Sequence, residues 1–205
     1  MSLRRISDCI RSCLLSMAWN GPCSELGSQS IEKTSRSKEA FFFTLSTGRT
    51  TLLGNTRLPV SIDIGFGDVI VPSKKEMSFP VLLDMECPLI YGYSIESVLA
   101  EKFEAIVSLG YANSRFKDFY DIYVILQSEK IDVELLQEAI VQTFRNRRTT
   151  FDDIVVFEDS FATDAERVKR WNAFVKKKNA LVQVTFDKVV EQIKTYFKPI
   201  VDRVG

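Results

Sequence analysis

The chain has 205 residues, 45% of them hydrophobic and 26% charged, which is the composition of an ordinary globular protein able to bury a core. Lys and Arg balance Asp and Glu at 27 each, so no overall field draws the chain to nucleic acid or to a membrane. It has no histidine, which excludes Ser-His-Asp and Cys-His catalysis, a histidine base and His-ligated zinc.

Any chemistry therefore rests on carboxylates, lysine, tyrosine or a metal held by oxygen. Cys9, Cys13, Cys23 and Cys87 form no Cys-x-x-Cys pair, and scattered thiols suit a reducing compartment. Residues 1–60 carry eight Lys/Arg against four Asp/Glu, while the remainder carries 19 against 23. That asymmetry is a weak pointer to an anionic partner. The apolar run from Cys13 to Ala18 is too short for a signal peptide, and no run approaches the roughly 20 apolar residues of a membrane span. The expectation is a cytoplasmic protein without a membrane partner.

Residues 1–37 are poorly defined. Ile6, Ile10, Leu14 and Met17 recur at near-helical spacing, and Asn20 to Lys38 reads as loop, including the Gly27-Ser28 turn and the residues after it. A strand-rich part follows at 38–90. Ala40–Leu45 is a strand closed by Ser46-Thr47-Gly48, Thr50–Leu53 a second, with Gly54-Asn55 as a turn. Pro59–Gly65 alternates cleanly, with Val60, Ile62 and Ile64 on one face and Ser61 and Asp63 on the other. Val69–Val71, stopped by Pro72, and Phe79–Leu83 are further short candidates.

Residues 91–205 read as a helical half. Ser94 caps a helix to about Leu109, which Gly110 closes. Asn113 or Ser114 caps the next, with Phe116, Tyr120, Tyr123 and Val124 inward. Asp132 caps a third, whose apolar face is Leu135, Leu136, Ala139, Ile140 and Phe144. Thr163-Asp164-Ala165-Glu166 forms a capping box for a fourth, and Thr185 starts the last, which Pro199 ends or bends. Strands first and helices after define an α+β chain.

Three places can carry chemistry. Asp63, centred in an Ile-Asp-Ile strand, is either a hard oxygen ligand for a cation on a rigid element or a polar residue on a solvated sheet face. Lys102, mid-helix with Glu101 and Glu104 beside it, is a phosphate-binding ammonium or a surface lysine. Arg115, Asp118 and Asp121 share one helical face. They either position a cation or base, or form an ion-pair network worth a few tenths of a kcal/mol per pair. The basic clusters Arg145–Arg148 and Lys176–Lys178 fall in last helical turns, where the helix dipole accounts for them, with RNA contact as the alternative.

Together, LPVSIDIGFGDVI and YSIESVLAEKFEAIVSLGYANSRFKDFYDIY resemble the AbiEii/AbiGii nucleotidyltransferase toxins, over a stretch from Leu53 to about Val201. The resemblance implies a DNA-polymerase-β-like mixed sheet, incomplete here, followed by a helical half. It implies a toxin of an abortive-infection or toxin–antitoxin system, beside a winged-helix antitoxin, that transfers a nucleotide from an NTP to an RNA acceptor such as tRNA. By motif, Asp63 corresponds to the metal-binding carboxylate (Mg²⁺ or Mn²⁺). Lys102, Asp118 and Asp121 correspond to the catalytic residues, and Arg115 and Lys117 to the nucleotide-binding ones. The family's amino-terminal Gly-Ser turn with its Asp-x-Asp strand has no counterpart here, because Asp8 is the one aspartate before Asp63. A catalytically inactive member that keeps nucleotide or antitoxin binding is the alternative.

Overall fold

The structure is a computed structural model. It describes residues 31–34, 43–53, 55–81, 84, 86–178 and 182–205, with 31–34, 43–49, 51–53, 60–66 and 178 described by backbone only. The segment expected as a helix around Ile6 to Met17 lies outside these residues. The chain divides between Phe66 and Gly67 into two compact units.

The first unit carries an antiparallel sheet in the order β1 (Ile31–Thr34), β2 (Phe43–Leu53), β3 (Thr56–Phe66). Two expectations are corrected here. The residues after Gly27-Ser28 do hold a strand, since β1 pairs with β2 from Ile31 opposite Thr47 to Thr34 opposite Thr44. With one apolar residue in four, β1 is set by the backbone partner that β2 offers and not by its own pattern. Likewise Ser46-Thr47-Gly48 does not end a strand. β2 runs through it, paired without interruption to β3. The turn falls where expected, between the partners Leu53 and Thr56. Pro59 sits in β3, at the edge of the described sheet, where a residue without an N–H is tolerated. Asp63 lies opposite Ser46 in this register.

The second unit opens on Gly67, whose φ of 97° is a backbone conformation that suits glycine. Val69–Val71 is not a strand. The Val71 N–H donates to Ser97 Oγ, and its carbonyl accepts from Ser94 Oγ and Ser97 Oγ at 2.9 and 2.7 Å. Both ladder groups are thus spent on the next helix. The second sheet is the ribbon β4 (Lys75–Ser78) with β5 (Leu89–Gly92). Phe79, expected to begin a strand, closes this one with a bond to the Pro88 carbonyl. Pro80 then has no N–H with which to continue. All described strand pairings are antiparallel.

Six described α-helices follow: α1 (Ile95–Leu109), α2 (Phe116–Ser128), α3 (Val133–Arg147), α4 (Asp159–Thr163), α5 (Ala165–Lys178) and α6 (Phe186–Val204). Ser94 caps α1 by accepting from the Ser97 N–H, and the Gly110 N–H closes it on the Ile106 carbonyl. Asp132 accepts from Glu134 and Leu135 at the head of α3. The core is built from Leu99, Phe103 and Ile106 of α1, Phe119 and Ile122 of α2, Leu136, Ile140 and Phe144 of α3, Trp171 of α5, and Ile193 and Phe197 of α6. Phe103 stacks on Phe197 with ring centres 4.3 Å apart.

Three helical details differ from the sequence reading. On α2 the fully buried positions are Phe119 and Ile122, while Tyr120, Tyr123 and Val124 stay half-buried; the inward face is rotated by about one residue because Asp118 takes a buried position on it. At the head of α5, Asp164 Oδ1 takes the Arg167 N–H at 2.8 Å, and Thr163 instead bonds back to carbonyls of α4. Pro199 does not end α6, which continues through it to Val204, since Ile200 and Val201 beyond it are buried. The missing N–H leaves the Thr195 carbonyl without its helical donor. Pro199 is exposed, so Pro199→Ala is expected to raise stability by about 1–3 kcal/mol, read as a higher melting temperature.

Candidate functional site

Lys102 points from α1 across to α2. Its Nζ donates to Asp118 Oδ1 at 3.0 Å and to Asp121 Oδ2 at 2.6 Å. The lysine is 19% exposed, Asp118 7% and Asp121 21%. This is not a surface lysine. It borders the core face of α1, three residues from Leu99 and four from Ile106, and both carboxylates face it because they stand one helical turn apart on α2.

Two more cations complete the cluster. Lys117 Nζ donates to Asp121 Oδ2, and Arg115 Nε lies 3.0 Å from Asp118 Oδ2 without lining up as a hydrogen bond. Arg115 and Lys117 are 62% and 69% exposed, so their heads can turn from the aspartates to a ligand at small cost. Three cations against two carboxylates leave a net positive site. Asp118 also sits in the first turn of α2, where the helix dipole favours a carboxylate.

The charges reinforce one another. Burial works to lower the Lys102 pKa, but the hydrogen bonds it donates to Asp121 and Asp118 outweigh it and hold the ammonium above the usual lysine value. Burial likewise works to raise Asp121, and the bonds from Lys102 and Lys117 bring it below the usual carboxylate value. Lys102 is therefore a fixed cation across the neutral range.

A second cluster lies farther along α1, and the sequence did not single it out. Arg147, at the end of α3, donates to Glu104 Oε2 at 2.7 Å and to Asp68 Oδ1 at 3.0 Å, with Glu101 Oε2 3.9 Å away. Thr149 Oγ1 also donates to Glu104. Burial and the nearby Asp68 push the Glu101 carboxyl up, against the pull of Arg147 and Lys102. The sequence reading of Arg147 is a dipole partner at a helix end. The available signal was Glu104, an acid four residues from Ala100 on the buried stripe, which demands a cation.

Asp63 belongs to the first unit, where it lies on β3, and the Lys102 cluster belongs to the second. The five residues Lys102, Arg115, Lys117, Asp118 and Asp121 lie together. An open cavity of about 620 Å³ bordered by Glu158, Asp187, Glu191, Lys194 and Asp202 shares no residue with them. Among the described residues no group of three or more His, Cys, Asp or Glu is arranged to hold a metal. Asp118 and Asp121 do not fit a divalent cation, because the Lys102 ammonium already occupies the space between them.

A strand-rich part followed by a helical half is consistent with a nucleotidyltransferase-like α+β fold. The family model described as nucleotidyl transferase AbiEii toxin, type IV TA system, matches residues 2–192, and the chain belongs to that family. The match begins well ahead of Leu53, where the resemblance read from the sequence starts, and so takes in the amino-terminal part as well. No curated protein and no solved structure matches the chain. Among the described residues no helix is long and apolar enough to cross a membrane.

Proposed function

We propose that this nucleotidyltransferase-like toxin transfers a nucleotide from an NTP to an RNA acceptor, with tRNA as the acceptor. The observation that carries the reading is the Lys102 ammonium, held charged between Asp118 and Asp121 with exposed Arg115 and Lys117 beside it. Phosphoryl transfer asks a protein mainly for positioning and for charge neutralisation. An ammonium has three N–H groups, and two of Lys102's go to aspartates. The third is directed to a phosphate oxygen, where it stabilises charge that develops as the nucleotide leaves its pyrophosphate. Asp118 and Asp121 orient the lysine and keep it protonated. Arg115 and Lys117 take the outer phosphates.

Asp63 is the residue we assign to Mg²⁺ or Mn²⁺, as a hard oxygen on a strand. A divalent ion held there would supply charge neutralisation. The system partner is an antitoxin, which we assign to the winged-helix class, and the compartment is the cytoplasm.

The test is incubation of purified protein with labelled NTPs, Mg²⁺ or Mn²⁺, and tRNA. Label on the RNA, lost in Asp63→Ala, is the expected result. No transfer from any NTP would overturn it, and undiminished transfer by Asp63→Ala would overturn the assignment of the metal to Asp63. A second reading has one observation in its favour: Asp8 is the sole aspartate before Asp63, so no Asp-x-Asp pair precedes it. That reading is a non-catalytic member, and it predicts nucleotide or antitoxin binding without turnover.

A further inference from the structure

The Lys102 cluster works only if α1 and α2 hold a fixed offset, because its lysine stands on one helix and its aspartates on the other. The link between them is the short 3₁₀ turn Gly110–Ala112, followed by Asn113 and Ser114. Asn113 is 5% exposed, unusual for a polar residue in a connection. Its side chain spends both polar atoms on the two helices. Oδ1 accepts the Arg115 N–H at the head of α2 at 2.7 Å, and Nδ2 donates to the Ala105 carbonyl of α1 at 3.4 Å.

These anchor points are close to the charges. Ala105 is one helical step from Lys102, and Arg115 the same step ahead of Asp118. The turn itself is braced from outside, since the Arg167 guanidinium donates to the Tyr111 carbonyl at 2.9 Å and the Tyr111 hydroxyl donates to Glu158 at 2.7 Å. Those contacts fix where the connection lies in the unit. Asn113 alone among them reaches both functional helices.

We propose that Asn113 is a positioning residue for the Lys102–Asp118–Asp121 cluster, tying the start of α2 to the backbone of α1 so that the ammonium stays seated between its two carboxylates. The catalytic half of this proposal rests on the nucleotide-transfer reading; the electrostatic half does not. Cutting the tie lets α2 slide by a fraction of an ångström, which lengthens two charge-assisted bonds and leaves the fold otherwise intact.

The experiment is an alkaline titration of the Lys102 ammonium by nitrogen-15 NMR in wild type, Asn113→Ala and Ile140→Val, with nucleotide transfer measured alongside. Ile140 is a fully buried residue on α3, a helix that carries none of these groups, so its shortening supplies a loss of stability without loss of the tie. Asn113→Ala is expected to bring the Lys102 titration back toward that of an ordinary lysine and to lower kcat about 10- to 100-fold, with KM for the NTP little changed. Ile140→Val should leave the titration where it is. If Asn113→Ala does not fold, Asn113→Ser keeps an acceptor for the Arg115 N–H but is too short to reach Ala105, and the same shift is expected.

An unchanged Lys102 titration in the folded Asn113 variant would overturn the proposal, whatever happens to the melting temperature. A shifted titration in a protein whose wild type transfers no nucleotide would uphold the tie and overturn the transfer reading, so the two failures are separable.

Discussion

Lys102→Met is expected to reduce nucleotide transfer by about 10²- to 10³-fold, the range for loss of one preorganised donor to developing charge. It should also lower stability by about 2–3 kcal/mol, since Asp118 is left buried with Arg115 as its remaining ion partner; the lower end allows for the lysine's partial exposure. Urea unfolding reads the second effect and labelled-NTP transfer the first. If the cluster were only scaffold, the stability loss would appear and the rate at saturating substrate would hold.

The pH dependence of this pair has a defined sign. Lys102 titrates above the ordinary lysine value when folded, so its contribution is complete below about pH 10.5 and is lost as pH rises through the folded value. Asp121 titrates below the ordinary carboxylate value, so its contribution is present above about pH 3.8 and is lost as pH falls through the folded value. Between these limits the lysine stays charged, and transfer should be insensitive to its titration.

Arg147→Met has the largest expected effect on stability alone, about 3–5 kcal/mol at neutral pH. The guanidinium serves Glu104, whose side chain is 5% exposed, together with Asp68 and Glu101. Removing it strands a buried carboxylate beside two others. Part of the loss should be recovered in acid. Glu101 already titrates above the usual value, so its favourable contribution is complete below about pH 4.5 and is lost as pH rises through the folded value. Without Arg147 that window widens. Unfolding measured at pH 5 and pH 7.5 should therefore show a smaller deficit at the lower pH; an equal deficit would mean that charge burial is not the cause.

The helical half was legible because its signals are local. Ser94, Gly110 and Asp132 mark helix ends by their own backbone chemistry, and each stands where the sequence places it. The five charges of the Lys102 cluster were legible for a different reason. Asp118 and Asp121 share a face by spacing, and motif resemblance supplied the lysine that spacing could not. What stayed hidden depends on partners distant in sequence. β1 exists through pairing with β2, Val71 was withdrawn from any sheet by two serines 23 and 26 residues on, and Arg147 was claimed by acids from α1 and the turn at Asp68. Pro199 shows the converse. A strong local breaker was overridden because Ile200 and Val201 have a core to reach.

The central claim is that the Lys102 cluster is a site and not merely a brace between helices. Its most direct test is the transfer rate of the double variant Lys102→Met, Asp118→Asn, which removes the buried charges together and so avoids an orphaned carboxylate at position 118. The account predicts a protein that unfolds within about 1 kcal/mol of wild type and transfers nucleotide at least about 100-fold more slowly. A folded double variant that transfers at the wild-type rate would contradict it.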